Sequence, residues 1–316
     1  MTDNVDKIAE GIHRIPLPLP LDDLTSINAY AIESHAGVVL IDPGWATAAT
    51  EQALIAALHE LGYALRDVTT MIATHAHWDH YTQALKIRQE HGGSVYLGRQ
   101  EHHSLDAFDT LTGAYPRQVD LLRKAGAPEL AAVIDALKLE EYEKDVPFGK
   151  PDVWLDNDHT IDLGDRVLSI HATPGHTRGH VVIADWETGV LFTGDHILPR
   201  ITPSVGFERQ PEELPLASFL RSLDLMLGLP DATMLPAHGA VSPSVHARAQ
   251  ALLDHHAERL QTIQQIAGGN RSPYEVACEL PWTRRRRRLD ELTPVHQMVA
   301  VLEVAAHMAV AERAKV

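Results

Sequence analysis

Residues 74–80 read Thr-His-Ala-His-Trp-Asp-His and follow directly on the apolar run from Val68 to Thr74. This string constrains the chain more than any other feature, because it asks a strand to deliver three imidazoles and a carboxylate to one loop. Imidazole and carboxylate are the ligand types that divalent transition metals take. Alternate residues of an extended segment share a side, so His75 and His77 can face one point. Asp79 and His80, entering the following turn, can aim at a second point nearby. Carboxylate and imidazole at both points suit two ions better than one. The competing reading is a solvated loop in a chain that holds 20 histidines.

Three later loops favour the metal. Ile170 to His180 ends an apolar stretch in Pro174-Gly175 with His176 just beyond, Thr193-Gly194-Asp195 ends another, and Leu235-Pro236-Ala237-His238-Gly239 a third. Each places a ligand-type residue in a small-residue loop after a strand. In open α/β sheets, sites gather at strand ends, so the four loops can converge on one rim.

The surrounding pattern is α/β. Ala29 to Ile32, a polar break at Glu33 to Gly37, then Val38 to Ile41 reads as a hairpin whose second strand is buried on both faces. Thr47 to Leu61 has helical spacing closed by Gly62, and Thr82 to His91 is helical up to Gly92-Gly93. Val181 to Ala184, a polar break, then Val190 to Asp195 repeats the plan of 29–44, which suggests an internal duplication. Residues 99–146 read as a mostly helical insertion, either a lid or a cover for the sheet. Beyond Gly239 the chain is mainly helical, with Ser272-Pro273 and Thr293-Pro294 as helix starts. The division is therefore a catalytic unit over 1–240 and a helical unit over 241–316.

Charge bears on partners. The chain carries 27 Lys+Arg against 43 Asp+Glu, a net charge of -16, which disfavours wrapping nucleic acid. Arg284 to Arg288 is the exception, and its plainer reading is a solvated basic loop. A single cysteine, Cys278, precludes an intrachain disulfide and fits a reducing cytoplasm. Met1 to Glu10 lacks the basic and apolar pattern of a signal peptide. Met298 to Ala311, broken by Glu303 and His307, reads as a core-facing helix, so no membrane partner is expected.

The ordered set T-H-A-H-W-D-H, P-G-H-T-R-G-H, T-G-D and P-A-H-G resembles the metallo-β-lactamase superfamily over roughly Ile8 to Gly239. That resemblance implies an αββα sandwich with a dinuclear site at one edge. It implies that His75, His77 and His176 hold one metal and that Asp79, His80 and His238 hold the other. Asp195 would bridge the two. Asp42 would support a ligand histidine from outside, as carboxylates behind metal-bound imidazoles do. His180 is expected to fix its loop, and His171, His196 and the pair His102-His103 to stay out of the ligand set. Arg178 stands where related sequences often carry proline.

The chemistry so implied is a hydroxide bridging two divalent ions, attacking a carbonyl or phosphorus, with Asp79 as ligand and orienting group. Zn²⁺ is the default and Fe or Mn²⁺ also suit the donors. No Gly-x-Ser-x-Gly turn is present, and Cys278 lies outside the cluster. Asp195 stands near where the cysteine-using antibiotic-destroying members place a ligand, which argues against a secreted β-lactamase. The set is instead similar to glyoxalase II-type thioesterases, quorum-quenching lactonases and certain nucleases, which makes a small ester or thioester the expected substrate. The alternatives are a lactonase, a metal-dependent endoribonuclease using a C-terminal winged-helix-like extension, or a binding factor with a vestigial site.

Overall fold

A computed structural model describes residues 5–21, 24–138, 148–283 and 285–313. Seven strands pair in sequence order to form the first sheet: β1 (Asp6–Ala9), β2 (Ile12–Pro18), β3 (Ser26–Ser34), β4 (Gly37–Ile41), β5 (Val68–Ala73), β6 (Ser94–Gly98) and β7 (Val153–Leu155). The second runs β12 (Thr233–Pro236), β11 (Val190–Gly194), β10 (Val181–Asp185), β9 (Val167–Ala172) and β8 (Thr160–Asp162).

Strand alternation explains how the sheets stack. In β4, Val39 and Ile41 point into the core between the sheets, where they meet Ile170, Ile183 and Phe192. Val38 and Leu40 point the other way, onto Leu54 and Leu58 of α1 (Ala48–Glu60) and Tyr81 and Leu85 of α2 (Trp78–His91). On the far side, Val182, Ala184 and Leu191 pack against Phe219 and Leu223 of α6 (Pro215–Gly228) and Leu252 of α7 (Val245–Ala267). The result is the αββα sandwich, with β4 buried on both faces as its uninterrupted apolar run requires.

The repeated plan is real in three dimensions. In the first sheet the β3–β4 hairpin leads through α1 to β5, parallel to β4. In the second, the β10–β11 hairpin leads through α6 to β12, parallel to β11. Asp42 therefore follows β4 as Asp195 follows β11, and His75 follows β5 as His238 follows β12.

The helices outside the sandwich share one core. After α3 (His102–Thr110), α4 (Pro116–Lys124) and α5 (Pro128–Asp135) place Val119, Leu122, Leu130 and Ile134 against Val276 of α8 (Pro273–Glu279) and against Met298, Val301 and Val304 of α9 (Pro294–Arg313). Within the insertion α4 and α5 thus pack on the C-terminal helices, whereas Leu105 of α3 joins the core of the first sheet. Residues 139–146 of it lie outside the described residues. By length and composition α9 is apolar enough to cross a membrane, yet it holds Met298, Val301 and Val304 in this core. Ser272 caps α8 through a reciprocal pairing with Glu275, with Pro273 at the first position. Trp282 and Arg287 form one antiparallel bridge, around a turn whose described arginines are exposed; Arg284 lies outside the described residues.

Candidate metal centre

Three strand ends and one loop build the site at one edge of the sandwich. β5 runs straight into His75, and His77 is the N-cap residue of α2. That helix begins at Trp78, four residues earlier than the apolar spacing suggests, so Asp79 and His80 sit in its first turn. The early start has a simple cause: the polar ligands Asp79 and His80 interrupt the apolar period, yet an acidic residue in a first turn favours the helix dipole. His176 comes from the β9–β10 loop, Asp195 follows β11, and His238 follows β12.

All seven side chains meet. Donor atoms of His75, His77, His176 and Asp195 lie within 4.8 Å of one another, as do those of Asp79, His80 and His238. In the first group His75 Nε2 is 2.8 Å and His176 Nε2 3.3 Å from His77 Nδ1, and His176 Nε2 is 3.6 Å from Asp195 Oδ2. In the second, Asp79 Oδ2 is 3.3 Å from His238 Nε2 and 3.6 Å from His80 Nε2. Asp195 reaches this group too, at 3.4 Å from His238 Nε2 and 3.8 Å from His80 Nε2. Metal–nitrogen bonds of about 2.0–2.1 Å put neighbouring donors of a tetrahedral sphere roughly 3.3 Å apart. The spacings here scatter around that value.

The protons decide what the cluster is for. Each of the five imidazoles faces an acceptor with its outer nitrogen. His77 Nε2 donates to Phe207 O (2.6 Å), His176 Nδ1 to Ser204 O (2.7 Å) and His238 Nδ1 to Ser26 O (3.0 Å). His80 Nδ1 lies 3.0 Å from Asp42 Oδ2, and His75 Nδ1 3.1 Å from the Thr74 hydroxyl. Thr74 gives its own hydroxyl proton and its N–H to Asp42. In the neutral tautomers that these outer bonds select, the inner nitrogens carry lone pairs turned toward each other and toward two carboxylates. His80 Nε2, His238 Nε2 and Asp195 Oδ1 are buried without a hydrogen-bond partner. Buried unsatisfied acceptors are costly, and a cation between them is the group that fits.

The electrostatics point the same way. Burial holds His75 and His77 well below the ordinary histidine range, His77 at about 3, and lowers His176 as well. Burial also works against a charged His80, yet Asp79, Asp42 and Asp195 outweigh it and raise the group to about 10. His238 is raised in the same manner, mainly by Asp195 and Asp79. Both carboxyls are held down against burial, Asp79 chiefly by His80 and His238 and Asp195 chiefly by His238 and His80. The centre demands positive charge, whether a proton or a metal supplies it.

Asp42 carries strain to do its part. Its backbone has φ 47°, a region that non-glycine residues rarely enter, at a buried turn. His180 is not among the inner donors: its Nε2 accepts from the Asp195 N–H (3.2 Å) and its Nδ1 meets the Thr173 hydroxyl (2.9 Å), so it fixes the Asp195 loop. His196 packs between His180 and Phe219, His171 lies by Asp158, and His102 and His103 stack on one another.

Two glutamates that the motif strings do not flag brace the ligand loops. Glu101, fully buried, accepts from the Ala76 N–H (3.3 Å), the Gly179 N–H (3.1 Å) and the Thr177 hydroxyl. It thereby ties the first histidine loop to the loop that carries His176. Glu208 accepts from the Arg178 N–H (2.7 Å) and the Ser104 hydroxyl (2.8 Å). Burial pushes Glu101 up to about 7, and burial together with Glu101 pushes Glu208 up to about 8. A lone glutamate has no sequence signature, so only the fold could bring these two forward.

A cavity of about 350 Å³ opens onto His77, Asp79, His176 and Asp195. Its other walls include Leu21, Leu24, Trp45, Trp78, Phe108, Tyr115 and Phe207, with a polar side that includes Glu101, Ser104, Gln118, Thr177, Glu208 and Arg209. α3 and the start of α4 contribute to both, so the insertion lines the cavity. The volume is that of a small-molecule site.

Comparison with known proteins gives a consistent picture. A family model described as the metallo-beta-lactamase superfamily matches residues 22–238. A solved metallo-beta-lactamase family protein of Thermus thermophilus superposes with a TM-score of 0.79 at 27% identity, over 97% of this chain and 94% of that one. An uncharacterized protein of Mycobacterium tuberculosis is 29% identical over 234 residues, 68% of this chain and 87% of that protein. The hydroxyacylglutathione hydrolase GloC of Haemophilus influenzae is 26% identical over 209 residues, 66% of this chain and 82% of that protein.

Proposed function

The chain belongs to the metallo-beta-lactamase superfamily, and on that premise we propose that it is a dinuclear metal-dependent hydrolase of small esters or thioesters. The observation that carries the proposal is the proton arrangement: five imidazoles each bound outward through one nitrogen and bare inward, around two ionised carboxylates. His75, His77 and His176 would hold one ion, Asp79, His80 and His238 the other, and Asp195 both. Two divalent ions, Zn²⁺ by default, supply Lewis acidity and a water that loses its proton near neutral pH.

The remaining work falls to the chain itself. Asp79, kept ionised by His80 and His238, accepts a hydrogen bond from the attacking water and so aims it at the carbonyl. Asp42 locks the tautomer of His80 and anchors the loop through Thr74. The aromatic walls give the reacting carbonyl an apolar surround on one side. The similarity to a hydroxyacylglutathione hydrolase supports a thioester, and a cavity of about 350 Å³ with aromatic walls supports a small substrate over RNA. In this reading residues 241–316 buttress the cavity wall through α4 and α5.

A panel of S-acyl glutathione, acyl-coenzyme A, a lactone and single-stranded RNA tests the assignment. Turnover of a thioester or ester, lost on chelation and restored by Zn²⁺, is expected. Cleavage of RNA alone overturns it. Replacing Asp42 with Asn puts an amide donor against the Thr74 N–H or His80 Nδ1–H, where only acceptors fit. Metal affinity should fall by about 10–100-fold, read by competition with a chromophoric chelator.

A further inference from the structure

Residues 204–210, between β11 and α6, bond to the metal centre on one side and to the inserted helices on the other. Toward the centre, Ser204 O takes the Nδ1–H of His176 (2.7 Å) and Phe207 O the Nε2–H of His77 (2.6 Å). Toward the insertion, Gln118 Nε2 of α4 donates to Glu208 O (2.6 Å). Arg209 reaches across to α3. Its Nε donates to Ala107 O (3.3 Å), its Nη1 to Gly113 O (3.1 Å) and its Nη2 to Leu111 O, and its guanidinium lies 4.5 Å from the centroid of the Phe108 ring. These carbonyls stand at and just beyond the C-terminal end of α3, where the helix leaves acceptors open and favours a cation.

The two ions would depend on this segment unequally. His77 and His176 are two of the three imidazoles assigned to the first ion, and both bond to it. The imidazoles assigned to the second bond elsewhere, His80 to Asp42 and His238 to Ser26 O. We infer that Arg209 and Gln118, which stand outside the ligand set, are positioning residues that hold His77 and His176 in place for the first ion. The inference rests on the dinuclear reading and deepens it by saying what sets the geometry of one of the two sites. A carbonyl steers an imidazole only if the carbonyl is itself fixed. Residues 204–210 belong to no helix or strand whose ladder would fix them. The side chains of Arg209 and Gln118 tie them instead to α3 and α4, and the Phe207 side chain packs on the core that α4 shares with the C-terminal helices. Partners one step behind a ligand tune its hold on a metal in this way.

Arg209→Met and Gln118→Met, made together, keep most of the side-chain volume and delete the bonds from both residues to their carbonyls. The pair is placed in two backgrounds, His238→Ala, which leaves the first site its imidazoles, and His75→Ala, which leaves the second its own. Competition with a chromophoric chelator reads the Zn²⁺ affinity, which should fall by about tenfold in the first background and change by less than about twofold in the second. General loosening of the fold would weaken both. A second readout needs no metal. In the chelator-treated protein with all its histidines, isotope-edited NMR follows the imidazole N–H protons of His77, His176 and His238. The two methionines should speed exchange with water at His77 and His176 by about tenfold and leave His238 at its former rate. Equal loss of affinity in the two backgrounds, or no loss in the first, overturns the positioning role. So does exchange at His77 and His176 that keeps the wild-type rate. If neither background binds Zn²⁺ and exchange still quickens at His77 and His176 alone, the dinuclear reading falls and the hold on these two imidazoles stands.

Discussion

Asp195→Ala should reduce the bound metal from about two ions per chain toward one and lower kcat by on the order of 10³-fold while the sandwich stays folded. The reason is positional. Asp195 alone lies within reach of both groups, 3.6 Å from His176 Nε2 with one oxygen and 3.4 Å from His238 Nε2 with the other. Its removal leaves the first ion with three imidazoles and the second with Asp79, His80 and His238, and nothing common to both. The backbone around it is held independently, by the His180 contact to its N–H and by the pairing of Gly194 O with the Ala237 N–H (3.1 Å). Elemental analysis after gel filtration gives the metal count, steady-state kinetics the loss, and circular dichroism the fold. A variant that keeps both ions and wild-type kcat removes the bridging role.

Gly98→Ala should destabilise the protein by about 3 kcal/mol or more, a large share of a domain's total stability. Gly98 has an ordinary backbone, φ -56° and ψ 132°, which alanine adopts freely. The cost is steric. A methyl there would stand 1.9 Å from Gly179 O, and a methyl on Gly179 would stand 2.2 Å from the Glu101 N. Neither obstacle is a side chain that could swing aside. Gly98 is the last residue of β6, paired with β5 and β7, and Gly179 is held by Glu101 just before β10. Relief would require the end of β6 and the loop that carries His176 to separate, so the metal content should fall with the stability. Urea denaturation of the two proteins side by side reads the difference in midpoint. A change below about 1 kcal/mol means that the loops separate easily and that the close approach is not a constraint.

Much of the architecture is legible in particular residues. The apolar run Val38 to Ile41 reads as a strand buried on both faces, and the structure fills both faces. The echo between 29–44 and 181–195 reads as a duplicated plan, and the two hairpin–helix–strand units match it. Ser272-Pro273 starts a helix as its cap chemistry requires. The start of α2 is not legible because its first turn is given over to Trp78, Asp79 and His80, and periodicity is silent where polar ligands replace apolar positions. The short strands β1, β7 and β8 are hidden for a related reason: three or four residues carry too little alternation to register.

The sequence by itself determined which chemical groups stand beside which strand ends, because ligand type and strand propensity are properties of short, covalently contiguous strings. His75 and His77 share a side whatever the rest of the chain does, and Pro174-Gly175 turns the chain before His176. Only the tertiary structure decided what stands behind those groups. Phe207 and Ser204 take the outer protons of His77 and His176. Glu101 ties Ala76 to Gly179, and Gln118 is left with a bare oxygen. These pairings join residues tens of positions apart, and their partners are common residue types with no local signature. They arise when two sheets close on a shared core, through many weak contacts summed over the whole molecule, and no short window of sequence contains that sum.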